Sequence, residues 1–284
     1  MTEKTRYFSF EFFPPKTDKG KEKFRTTLKT LGRFKPYYFS VTFGAGGSTQ
    51  QGTYDTVTEI QRSGHQAAPH LSCIGSTREN VLALLNRYRD AGINRLVALR
   101  GDMPSGMQSA GEFRYASELI EFIRRETGDH FYIEAAAYPE FHPQALSPDA
   151  DIENFKRKID AGANGGITQY FYNTDAYFRF IDDCHKIGVD APIVPGIMPI
   201  TNYIQLSRFS DMCGAEIPRW IRKRLQAYAD DTVSLRAFGE DVVAAMCETL
   251  LHHGCPGLHF YTMNQADAVS ALWQRLELSR YQRA

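Results

Sequence analysis

The chain has no surplus of either charge: 33 Lys and Arg balance 33 Asp and Glu, so the formal net charge is zero. That removes the usual electrostatic argument for nucleic acid or an anionic membrane as partner. No apolar run approaches the roughly 18 residues that span a bilayer. Residues 1–6 are polar and lead straight into an apolar strand, so no secretory leader is expected. Cysteine is scarce: Cys73, Cys184, Cys213, Cys247 and Cys255 are odd in number, scattered, and form no CxxC pair. Reduced thiols and a cytoplasmic location follow as expectations. His252, His253 and Cys255, with His259 following, invite a zinc site, but spacing this tight suits a helix end and turn before a strand. Linkers, low-complexity tracts and repeats are also missing, so residues 1–284 are read as one domain.

What is present is an alternation. Apolar strand signals recur eight times, at 7–12, 38–43, 66–73, 95–100, 131–138, 166–171, 193–198 and 258–263. Helical faces lie between them, such as Val81-Leu82-Leu84-Leu85-Tyr88 with Ile93, Leu119-Ile120-Ile123, and Ile152-Phe155-Ile159 ending at Gly162. Strict alternation implies parallel strands with right-handed crossovers, and eight such units match an α/β fold of the (β/α)8 TIM-barrel type. A doubly wound open sheet is the second choice. It is disfavoured because no GxGxxG follows the first strand; Gly44-Ala45-Gly46-Gly47 is only a glycine-rich loop. The long stretch 201–239 is read as two helices separated at Pro218-Arg219-Trp220-Ile221.

Barrel chemistry sits at the C-terminal ends of strands. The first strand, Phe8-Ser9-Phe10-Glu11-Phe12-Phe13, is ended by Pro14-Pro15, which cannot donate to a ladder. Glu11 therefore lies at a strand end among apolar rings. Burial there would raise its pKa and suit it to donate a proton; the plainer reading is a carboxylate paired with Lys or Arg. The other ends supply Thr42, His70, Arg100-Gly101-Asp102, Tyr138 to His142, Gln169 and Tyr261. Each has its own plain reading: Thr42 as a β-former, His70 as a satisfied core histidine, Arg100 and Asp102 as a mutual pair. Polar groups at seven of eight ends, facing one cavity, argue jointly for a site. Gln169 is the hardest to dismiss, since an inward amide between Thr168 and Tyr170-Phe171 needs partners. Asp151, Asn154 and Lys158 share one helical face, with Arg157 adjacent. A solvated polar face is the default for these. The functional reading is a grip on ribose hydroxyls and a pyrophosphate, for which Arg and Lys supply charge-assisted donors.

These residues, in their strings, closely resemble the methylenetetrahydrofolate reductase family in its short bacterial type. The strings are Phe8 to Pro15, Ser40-Val41-Thr42-Phe43-Gly44-Ala45, Ala68-Pro69-His70-Leu71, Ala98-Leu99-Arg100-Gly101-Asp102, Ala136-Ala137-Tyr138-Pro139-Glu140, Lys156 to Ala163, Ile167-Thr168-Gln169, Pro195 to Pro199 and His259-Phe260-Tyr261-Thr262. The resemblance implies a barrel that holds FAD non-covalently, reduces it with NADH or NADPH, and converts 5,10-methylenetetrahydrofolate to 5-methyltetrahydrofolate. It implies FAD contacts from Thr42, His70, Arg100, Gly101, Asp102, Tyr115, Ala116, Tyr138, His142, Asp151, Asn154, Arg157 and Lys158. Gln169 and Gln205 would meet folate, and Phe209 would stack on nicotinamide or folate in turn. Glu11 would protonate folate N10, and Asp102 would stabilise the resulting cation and tune the flavin. Homo-oligomers are expected from the same likeness. Three positions depart from the family pattern. Gln265 stands where the family commonly has a folate-holding arginine, and Phe43 and Tyr203 replace the commoner Tyr and Phe. No S-adenosylmethionine regulatory domain is expected. A flavin-free pterin-binding barrel, such as a folate-dependent methyltransferase, is the rival enzyme; a non-catalytic binding subunit is the rival outside catalysis.

Overall fold

The computed structural model describes residues 6–43, 47–101 and 111–282, with backbone alone at 47–49. Strands and helices alternate as β1 (Tyr7–Phe12), α1 (Asp18–Gly32), β2 (Tyr38–Val41), α2 (Gly47–Arg62), β3 (Ala67–Ser72), α3 (Arg78–Asp90), β4 (Arg95–Leu99) and α4 (Ala116–Thr127). They continue as β5 (Tyr132–Ala137), α5 (Pro148–Asp160), β6 (Gly165–Thr168), α6 (Thr174–Lys186), β7 (Ile193–Val194) and β8 (Gly196–Ile197). Then come α7 (Tyr203–Cys213), α8 (Arg219–Tyr228), α9 (Thr232–His252), β9 (Gly257–Tyr261), α10 (Asp267–Arg275) and a 3-10 turn (Leu278–Tyr281).

All the pairings are parallel, in the order β7-β6-β5-β4-β3-β2-β1-β9-β8. β7 and β8 are two halves of one strand position, broken at Pro195, which has no N–H for a ladder. The first half pairs with β6 through Ile167↔Val194, the second with β9 through Gly196↔His259. That strand position thus joins both neighbours and closes the ring, which rules out the open doubly wound sheet. The continuous strand expected at 193–198 is therefore corrected to two short pieces. The expected strands at 38–43 and 166–171 also stop earlier, at Val41 and Thr168, where the chain leaves the ladder for its loops. The stretch after β8 holds α7, α8 and the start of α9, one helix more than expected, with Pro218 opening α8.

Side-chain alternation sorts the first strand. Phe8 and Phe10 pack outward against Trp273 at 5.2 and 5.7 Å, and Phe12 against Phe24 at 5.1 Å. All three are essentially buried, each contributing about 2–3 kcal/mol over exposure. Ser9 and Glu11, on the other face, point into the barrel. The lumen holds a small apolar cluster of Tyr38, Ala68, Val97 and Ile167 with Leu99 against it. Its floor is an Arg95–Glu134 pair at 3.1 Å, the guanidinium lying 4.0 Å from the Tyr132 ring centroid. The lumen is thus plugged below, and its polar groups open only toward the C-terminal strand ends. Among the described residues no helix is long and apolar enough to cross a membrane.

Candidate active site

Glu11 is held from behind. Asn264 accepts from Phe13 N–H at 2.8 Å and donates to Phe13 C=O at 2.9 Å, fastening the end of β1 to the turn after β9. That turn uses two left-handed residues, Met263 (φ 51°) and Asn264 (φ 53°). Thr262 Oγ1 donates to Glu11 C=O at 2.5 Å. The Glu11 side chain, 9% exposed, then reaches two histidines: Oε2 lies 3.3 Å from His70 Nε2 and 3.6 Å from His259 Nε2. No Lys or Arg pairs with Glu11 among the described ion pairs, so the plainer reading of this carboxylate gives way to a carboxylate between imidazoles.

The two histidines differ. His259 is fully buried, with Nδ1 at 2.7 Å from Ser9 Oγ and Nε2 at 3.5 Å from Ser40 Oγ. His70 is buried too, but its Nε2 lies off the line a hydrogen bond to Glu11 needs and is left without a hydrogen-bond partner. Burial pushes the His70 imidazole down to about 4, against the pull of Glu11. It is therefore neutral at pH 7, its Nε2 buried against the Glu11 carboxylate.

Beside this centre a second cluster links the ends of β4 and β5 to α5. Ser72 Oγ and Cys73 Sγ both donate to Arg100 C=O, at 2.9 and 3.3 Å. Gly101 then turns with φ 83°, and a Cβ there would stand 1.9 Å from Ser72 Oγ, so only glycine fits. The Arg100 guanidinium donates to Gln144 Oε1. Gln144 N–H donates to His142 Nδ1 at 3.0 Å, and His142 N–H donates to Asp151 Oδ2 at 2.9 Å. The His142 ring stands edge-on to Tyr138, 4.6 Å between centroids. Ser147 caps α5 by accepting from Ala150 N–H, with Pro148 in the first turn, which sets the helix face toward the barrel. On that face Asp151 is buried rather than solvated. Lys158 Nζ donates to Ala136 C=O at 2.5 Å, and burial lowers its ammonium to about 8 despite nearby Asp151. Asn154 Oδ1 accepts from Arg157 at 2.8 Å on the exposed side.

The remaining expected residues lie around the rim. Thr42 is half-buried just past β2, its C=O accepting from Thr53 Oγ1 at 2.8 Å. Tyr115 is exposed at the start of α4, and Ala116 is buried. The Gln169 side-chain oxygen accepts from Tyr170 N–H at 3.0 Å. Gln205 is exposed in the first turn of α7, where Asn202 caps its N–H at 2.8 Å. Phe209 is half-buried on the same helix. Gln265 is exposed, its N–H donating to Thr262 C=O. Tyr261 is spent on Thr168 C=O at 2.7 Å. Asp102 lies outside the described residues.

Sequence reading missed Ser9, Ser40, His259 as a lumen residue, and Gln144. The first three follow from period 2: Ser9 is two before Glu11, Ser40 two before Thr42, and His259 two before Tyr261. The suggested His252–His259 cluster is divided, because His253 bonds Thr249 C=O at 2.8 Å while His259 faces Ser9. Among the described residues no group of three or more His, Cys, Asp or Glu is placed to hold a metal ion.

Residues 1–277 match the family model described as methylenetetrahydrofolate reductase. The chain is 39% identical over 269 residues to 5,10-methylenetetrahydrofolate reductase of Escherichia coli (strain K12), covering 94% of this chain and 90% of that protein. It is 40% identical over 270 residues to that of Pectobacterium carotovorum subsp. carotovorum, covering 94% and 89%. It is 38% identical over 285 residues to methylenetetrahydrofolate reductase (NADH) 1 of Arabidopsis thaliana, covering 95% of this chain and 48% of that protein. Among solved structures, a Clostridium thermocellum protein described as binding two copies of 5-methyl-5,6,7,8-tetrahydrofolic acid superposes with a TM-score of 0.67 at 16% identity. It covers 98% of this chain and 96% of that one. At that identity the likeness is one of fold.

Proposed function

The chain belongs to the methylenetetrahydrofolate reductase family, and on that premise we propose that it is a flavoenzyme reducing 5,10-methylenetetrahydrofolate to 5-methyltetrahydrofolate with NADH. NADPH is the second choice of reductant. The observation that carries the reading is the barrel mouth itself: a buried carboxylate between two histidines, beside a cationic cluster on α5.

The residues fit FAD. Arg100, Arg157 and Lys158 supply cations for a pyrophosphate, Asp151 a carboxylate for ribose hydroxyls, and Tyr138 an aromatic face. Held by these residues, FAD would supply the hydride-transfer chemistry between nicotinamide and folate.

The chain's own residues handle binding and charge. Gln169, Gln205 and Phe209 hold the folate, with Gln265 at the rim. Glu11 gives a proton to folate N10, which opens the methylene bridge to a 5-iminium cation ready for hydride. His259, anchored by Ser9, fixes the direction of the Glu11 carboxyl. Neutral His70 adds no positive charge where a cation forms. Asp102 supplies the negative charge that stabilises that cation.

The test is Glu11→Gln. It should retain FAD and NADH oxidation yet lose folate reduction about 10²- to 10⁴-fold. Normal methyltetrahydrofolate formation by this variant removes Glu11 as the acid. The visible spectrum of the wild type, taken anaerobically before and after NADH and then folate, tests the cofactor. A colourless protein that also fails to take up FAD favours the flavin-free barrel instead.

A further inference from the structure

α7 carries Gln205 and Phe209 and buries Leu206 and Ser210, with Tyr203, Phe209 and Cys213 half-buried against the core. Three contacts near its C-terminal end fasten it to the barrel. Ser210 Oγ lies 3.0 Å from Tyr170 Oη. Gly214, the left-handed cap at φ 75°, presses on Pro143 so closely that a Cβ would stand 2.7 Å from Pro143 Cγ. Two residues later Glu216 N–H donates to Glu140 Oε2 at 2.8 Å, across 76 residues of chain. Glu140 belongs to the segment after β5 that also bears Tyr138 and His142. Tyr138, Glu140, Gln169, Tyr170 and Cys213 line one narrow cleft between that segment and the end of α7.

We propose that Glu140 is a positioning residue for the reaction. Its carboxylate holds the turn after α7, and so sets where Phe209 and Gln205 stand relative to the barrel mouth. It also joins that placement to the segment of Tyr138 and His142, so the flavin side and the substrate side of the site move as one body. The contact is long-range: Glu140, with Arg179 near enough to favour its charge, accepts a backbone N–H from the loop that ends the substrate helix. The inference rests on the reading of α7 as a substrate-binding helix.

The experiment compares wild type, Glu140→Ala and Glu140→Gln as flavin-loaded proteins, by hydrogen exchange and steady-state kinetics. In Glu140→Ala, exchange over 203–217 should quicken about tenfold while β5 is unchanged. KM for methylenetetrahydrofolate should rise about five- to tenfold with kcat within about twofold and flavin content unaltered. Glu140→Gln keeps an oxygen that accepts the Glu216 N–H and should stay within about twofold of wild type in both readouts. Wild-type exchange and KM in Glu140→Ala overturn the proposal, as does Glu140→Gln behaving no better than the alanine variant. Failure of the wild type itself to form methyltetrahydrofolate is a separate result: it removes the reaction, and with it anything for Glu140 to position.

Discussion

Lowering the pH should destabilise this protein through His70, and the amount follows from the site. Burial is the main cause of the shift, His259 adds to it and Glu11 opposes it, leaving the imidazole at about 4 against an ordinary 6.5. Between these two values the unfolded chain binds a proton that the folded protein refuses. Stability is therefore fully present above pH 6.5 and is lost as pH falls toward 4. The shift of roughly 2.5 units is worth about 3 kcal/mol in total, with about 1 kcal/mol of it lost per pH unit between pH 6 and 5. The assay is denaturant unfolding of the ligand-free protein at pH 7, 6 and 5, beside His70→Gln. Carboxylates give both proteins a common acid slope. The wild type should fall more steeply than the variant by that same 1 kcal/mol per unit. Parallel curves would refute the reasoning: the attraction to Glu11 would then cancel the burial, and His70 would titrate alike in the folded and unfolded chain.

Gly101→Ala should cost about 2 kcal/mol or more, from a left-handed φ of 83° and a Cβ driven against Ser72 Oγ. Denaturant midpoints measure it, and a second change, Ser72→Ala, should recover part of the loss; no loss in Gly101→Ala would contradict the close approach. Asp102→Asn should keep FAD but slow the folate half-reaction about tenfold to a hundredfold in stopped-flow reoxidation, since a neutral amide no longer offsets the cation. An unchanged rate there ends the electrostatic role proposed for Asp102.

Much of the architecture was legible because parallel barrels write it locally. Buried strands bounded by Pro and Gly, separated by amphipathic helices, mark eight strand positions without any long-range information. The place of Glu11 was equally local, since Pro14-Pro15 must end its strand. The break at Pro195 carried a sequence signal as well, a proline inside a strand pattern, but the run around it reads as continuous apolar chain. That its halves bond different neighbours is a property of the closed ring. The face of Asp151, Asn154 and Lys158 was readable from helical spacing, whereas its burial was not, because it depends on how the loop after β5 folds back over the helix, with His142 N–H on Asp151 and Ala136 C=O on Lys158.

The sequence alone determined the fold class, the family, and which strand ends carry polar groups, because each depends on short-range pattern and covalent order. Only the tertiary structure decided what those groups touch. Ser9 and His259 are 250 residues apart, and Glu140 and Glu216 are 76 apart, yet each pair lies within hydrogen-bond distance. Ring closure sets β1 beside β9 and so places Glu11 against His259. Burial inside the closed barrel, beside residues brought from distant strands, removes water from His70 and makes it neutral. Burial and partnership are sums over distant segments, so no local pattern could have stated them.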